Sequence, residues 1–116
     1  MKNNEFIKVL SSINNDDNYL DFRVTILGGP DTGTTEIVHC YIAETTEFNG
    51  NIFITFKPTF SDDIYVTPQN VLDIFNEFGK DTTIIFEYEI ERFKTRKLEY
   101  YGFVTDKNNV ILLFNE

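Results

Sequence analysis

Two hydrophobic periods alternate along this chain. Phe6, Val9, Leu10 and Ile13 are spaced for one face of a helix, and the segment around them predicts a helix over residues 4–13. Asn3 or Asn4 is suited to cap it, because a short polar side chain accepts from the free amides of a first turn. The polar run 14–18 stops it. The period then drops to two. Leu20, Phe22, Val24 and Ile26 alternate with Asp21, Arg23 and Thr25, as in a half-buried strand. Similar alternation predicts strands over residues 37–42 and 52–56, with the Asn49-Gly50 turn signal between them.

Thr67-Pro68 opens a second helix: Thr67 has the chemistry of an N-cap, and Pro68 fits the first helical position, where a missing N–H costs nothing. Val71, Leu72, Phe75 and Phe78 form its apolar stripe, and Gly79 is a natural stop. Strands follow at about 82–93, 97–105 and 109–115 by the same alternation.

The expected fold class is α+β: two helices and about six antiparallel strands in the order α-βββ-α-βββ, within a single domain over residues 1–116. The order invites a search for repeats. Leu20, Phe22, Val24 and Ile26 align with Ile84, Phe86, Tyr88 and Ile90 at an offset of 64, and Asn51–Phe56 aligns with Asn109–Phe114 at 58. An internal α-βββ duplication, with pseudo-repeats 1–60 and 61–116, is one reading. An ordinary α+β domain predicts the same elements.

Composition narrows the function. The chain has twelve Phe, six Tyr and no Trp, so aromatic packing should dominate the core. Cys40 is the only cysteine, which excludes an intrachain disulfide and fits a reducing compartment. No stretch has the continuous apolar core of a signal peptide or a membrane span. A cytoplasmic protein is expected, with no membrane partner. The net charge of −9 argues against direct duplex nucleic-acid binding and for a protein partner with a basic surface. The charge is uneven: residues 1–91 carry five basic and sixteen acidic side chains, whereas residues 92–116 carry five basic and three acidic.

The motif candidates are weak in turn. Gly28-Gly-Pro-Asp-Thr-Gly33 has the glycine spacing of a phosphate-binding loop, but Thr34 stands where the lysine is needed and strand-like residues follow, so a hairpin turn is expected. His39 and Cys40 are adjacent on a strand and point to opposite faces, so they cannot form a nucleophile–base pair. Asp16-Asp17-Asn18 with Asp21, and Asp62-Asp63, lack the spaced carboxylates and central glycine of a calcium loop. No catalytic residue, metal site or cofactor is expected.

Ile84-Ile-Phe-Glu-Tyr-Glu-Ile-Glu91 stands out. Glu87, Glu89 and Glu91 share one strand face at a pitch of about 6.6–7 Å, a spacing that suits a basic groove built for phosphates. The plainer reading is a wet strand face balanced by Lys94, Arg96 or Lys97 across the sheet. Arg92, Lys94, Arg96 and Lys97 form a basic hairpin tip, and Tyr100 and Tyr101 are candidate aromatic anchors. Together these residues suggest a small non-enzymatic inhibitor or antidote against a nucleic-acid-handling enzyme or toxin, of the anti-restriction, anti-CRISPR or immunity-protein kind. The alternatives are an acidic dimeric chaperone or assembly adaptor and a metal-dependent carboxylate enzyme; the chain is expected to be a monomer or homodimer.

Overall fold

In the computed structural model, residues 1–13, 19–27, 35–59, 66–92, 94–107 and 109–116 are described. The loop over 28–34 and the aspartate pairs at 16–17 and 62–63 lie outside them. The elements are α1 (Asn3–Ser12), β1 (Tyr19–Leu27), β2 (Thr35–Phe48), β3 (Asn51–Pro58), α2 (Pro68–Phe75), β4 (Thr83–Glu91), β5 (Lys94–Asp106) and β6 (Asn109–Asn115).

Among the described residues the six strands close a barrel in the order β1-β2-β3-β4-β5-β6. This corrects the expected α+β arrangement with antiparallel strands. Four neighbouring pairs are antiparallel, but β3 pairs with β4, and β6 with β1, in parallel. The physical reason lies in the connections. A tight turn can only reverse a strand, whereas the α2 connection returns the chain to the start of β3, so β4 runs alongside it. Among the described residues two helices, of ten and eight residues, accompany the barrel.

The alternation of β1 and β4 puts Phe22 and Phe86 inside, and β3 and β6 add Phe56 and Phe114. These four rings fill the barrel with centroids 4.8–6.4 Å apart, Phe114 lying 4.8 Å from Phe86 and 4.9 Å from Phe56. From α1, Phe6 stacks edge-on against Phe75 of α2 at 4.9 Å and Phe86 at 5.3 Å, which joins both helices to the barrel core.

The pairing repeats between the halves. Asn51 faces Thr83 and Asn109 faces Tyr19, offsets of 58 (51 to 109) and 64 (19 to 83). β-Bulges fall at Ile42/Glu44 and at Tyr100/Gly102, again 58 apart.

Helix ends are satisfied differently in the two halves. Thr67 caps α2: its hydroxyl accepts from the Asn70 amide at 3.2 Å, and the Asn70 side chain accepts from the Thr67 amide at 3.0 Å. At α1 the N-cap is Lys2, not an asparagine. Asn3 instead lies inside the first turn, fully buried, and its side-chain amide points at the end of α2.

Candidate functional site

The glutamate row lies on the outside of the barrel. Ile84, Phe86 and Tyr88 point inward and are buried, which leaves Glu87 and Glu89 on the outer face, half-buried; Glu91 is exposed beyond a bulge. Strand register brings a further acid alongside. Glu44 of β2 faces Thr55 of β3, Thr55 neighbours Glu87, and Glu87 faces Lys97 of β5. Lys57 of β3 reaches Glu89 at 3.0 Å. Hydrogen bonding and the charge of Glu89 hold the Lys57 ammonium above its ordinary range, with Glu44 adding to the effect.

One patch on β2, β3 and β4 therefore carries three carboxylates, Glu44, Glu87 and Glu89, around Lys57. Glu87 has no cation within 4.0 Å among the described residues, and burial pushes its carboxyl up. Glu91 lies 3.5 Å from Lys94, both largely exposed, where an ion pair adds little. Glu44 and Lys57 were missed from the sequence because their place beside Glu87 and Glu89 depends on barrel register.

The basic tip is only partly collected into one surface. Arg96 turns to Glu116, with Nη1 donating to the two carboxylate oxygens at 2.9 and 3.1 Å. Lys94 is held by Glu91, Lys97 faces the glutamate patch, and Arg92 is exposed in the turn.

The two tyrosines are separated by the β5 bulge. Tyr100 packs its ring against Phe114 at 5.6 Å and Phe6 at 5.7 Å, and burial pushes its hydroxyl up. Tyr101 is 54% exposed. A cleft of about 540 Å³ runs beside Tyr100 where β4 and β5 separate, bordered by Met1, Glu5, Ile84, Leu98 and Glu99.

The histidine and cysteine face opposite ways. Cys40 is buried, and burial together with the charge of Asp21 pushes its thiol up to about 12. On the outer face, Nδ1 of His39 lies 3.1 Å from Asp21, which also pairs with Arg23 at 3.2 Å. This is an oriented imidazole with no nucleophile supplied by Cys40. Among the described residues no group of three His, Cys, Asp or Glu is placed to hold a metal ion. No helix among them is long and apolar enough to cross a membrane.

Comparison with protein-family models, with curated proteins and with solved structures finds no match for this chain.

Proposed function

We propose that this protein is a non-enzymatic binding protein of the cytoplasm, an inhibitor or antidote that docks on a basic surface of a nucleic-acid-handling enzyme or toxin. Anti-restriction, anti-CRISPR and immunity proteins illustrate the type. The observation that supports this reading is the outer patch of Glu44, Glu87 and Glu89, which outnumber Lys57 and the facing Lys97 on a chain of net charge −9. The patch sits on barrel strands whose inner residues are locked by aromatic packing, so the backbone positions that carry its glutamates are fixed before any partner arrives. Pre-organised charge raises association rates and selects against partners of like charge more than it adds raw affinity. Half-burial of Glu87 and Glu89 reduces screening by salt relative to fully exposed carboxylates.

The test is capture from source-cell lysate on tagged protein at low salt, with stepwise salt elution and a parallel elution with duplex DNA. A basic nucleic-acid enzyme released by moderate salt and displaced by DNA is the expected result. Capture that ignores both salt and DNA, or no captured basic protein, would overturn it.

A further inference from the structure

The β2–β3 hairpin turns on two residues. Phe48 faces Asn51 as the last rung, and Asn49 (φ 51°) and Gly50 (φ 77°) form the loop between them. Positive φ at both central positions is the type I′ geometry that matches the twist of the flanking strands. The β5–β6 hairpin closes in the same way 58 residues on (49 to 107): Asp106 faces Asn109, and Lys107 sits at φ 56°. In sequence that second tip has Lys107-Asn108 where the first has Asn49-Gly50.

The first tip differs in its chemistry. Asn49 is the one asparagine of the chain that precedes a glycine. Both residues are exposed, and a Cβ built on Gly50 would meet nothing within 4 Å. Among the described residues the Asn49 side chain has no hydrogen-bond partner. Its free carboxamide therefore lies beside a peptide nitrogen that no side chain shields. Other asparagines are held or hindered: Asn3 and Asn70 are hydrogen-bonded, and Asn51 and Asn109 precede the β-branched Ile52 and Val110.

We propose that Asn49 is a self-modification site, at which the folded chain converts its own asparagine to aspartate and isoaspartate. The Gly50 amide nitrogen loses its proton to solvent and attacks Cγ of Asn49. The Cγ–Nδ2 bond breaks, and that nitrogen takes up a proton and leaves as ammonia, which closes a cyclic imide. Water then opens the ring. Cleavage at Cγ restores the peptide bond and leaves aspartate; cleavage at the backbone carbonyl leaves isoaspartate, with the chain running through Cγ. The balance is water in and ammonia out. Ring closure moves Gly50 out of the turn, so it proceeds from a frayed tip, and a terminal rung opens without unfolding the barrel.

The two products meet the turn differently. Aspartate tolerates the left-handed conformation as asparagine does, so the hairpin keeps its form. Isoaspartate inserts a methylene into the backbone of a two-residue loop. Loop length sets hairpin register, so the Phe48↔Asn51 rung and the Glu47↔Ile52 and Thr46↔Phe53 pairs beyond it lose the turn that aligns them.

The test holds the wild type folded at mildly alkaline pH, samples it over time and maps its peptides by mass spectrometry, with enzymatic carboxyl methylation to count isoaspartate. Asn49 is expected to lose its amide ahead of every other asparagine. Gly50→Asn, which sets at the second loop position the residue type found in the β5–β6 tip, is expected to keep the fold and slow the loss at position 49 several-fold. Phe114→Ala, which weakens the barrel core, is expected to leave the rate little changed, as local opening requires. The isoaspartate fraction, separated chromatographically, is expected to melt below wild type, whereas Asn49→Asp melts with it. An Asn49 that outlasts the other asparagines, an equal rate in Gly50→Asn, a rate that climbs with the destabilisation in Phe114→Ala, or an isoaspartate form as stable as wild type would each overturn the proposal. The result is independent of whether a basic partner is captured.

Discussion

Asn3 joins the two helices, and changing it tests that role. Its Nδ2 lies 2.9 Å from the Phe75 carbonyl, 3.2 Å from that of Gly79 and 3.3 Å from that of Phe78, at and just past the end of α2, where carbonyls outnumber the amides that can reach them. Two N–H groups serve three carbonyls, and Asn3 itself is fully buried. Asn3→Ala removes both donors while the Phe75 and Gly79 carbonyls keep the Phe78 and Thr82 amides, a loss of about 2–3 kcal/mol at roughly 1–1.5 kcal/mol per bond. Unfolding entropy of about 2.1 cal/mol/K per residue converts that to a melting shift of roughly 8–12 °C. Asn3→Asp keeps the shape but aims a carboxylate at three carbonyl oxygens. The folded state then disfavours the charged form, so the carboxyl pKa rises above its unfolded value of about 3.9. A raised acid binds more protons when folded, so the penalty is complete above the folded pKa and shrinks as pH falls toward the unfolded one. Urea melts from about pH 8 to about pH 5 should show Asn3→Asp below Asn3→Ala in stability at the alkaline end, with the gap narrowing toward acid. An Asn3→Asp protein as stable as wild type, or a gap that does not move with pH, would refute the reasoning.

Further expectations follow from single positions. Phe114→Ala empties the centre of the four-ring cluster and should cost about 3–5 kcal/mol in urea melts, whereas Phe48→Ala, at a 62% exposed site, should stay within about 0.5 kcal/mol. Gly102 sits at φ +146° in the β5 bulge with open space around it, so Gly102→Ala should lose about 1 kcal/mol through backbone strain. Cys40, pushed up to about 12 against an ordinary 9.0, ionises first in the unfolded chain; stability should therefore fall as pH rises between those values, and Cys40→Ala should flatten that slope. The same thiol should ignore alkylating reagents until the protein is unfolded, as read by mass spectrometry.

Side-chain periodicity assigned residues to faces but not strands to neighbours. Phe22, Val24, Phe86 and Tyr88 are inside, as their alternation implied, and Thr67-Pro68 opens a helix through local chemistry alone. Closure was not legible, because a period of two is the same in parallel and antiparallel strands. The bulges were equally hidden: one extra residue at Tyr101 sends Tyr100 into the core and leaves its neighbour in solvent. Asn3 has the composition of a cap, yet its partners lie 72 to 76 residues away, a distance no local pattern encodes. Glu89 pairs with Lys57 across a parallel junction, not with the hairpin cations Lys94, Arg96 or Lys97 that the sequence offered.

The most direct test of the central claim compares wild type with Glu44→Gln/Glu87→Gln/Glu89→Gln in parallel low-salt captures from the same lysate. Glutamine preserves shape and avoids setting new cations beside Lys57 and Lys97. The account predicts that the triple variant melts within a few degrees of wild type and loses the basic, salt-released partner. Equal recovery of that partner on both proteins would contradict it.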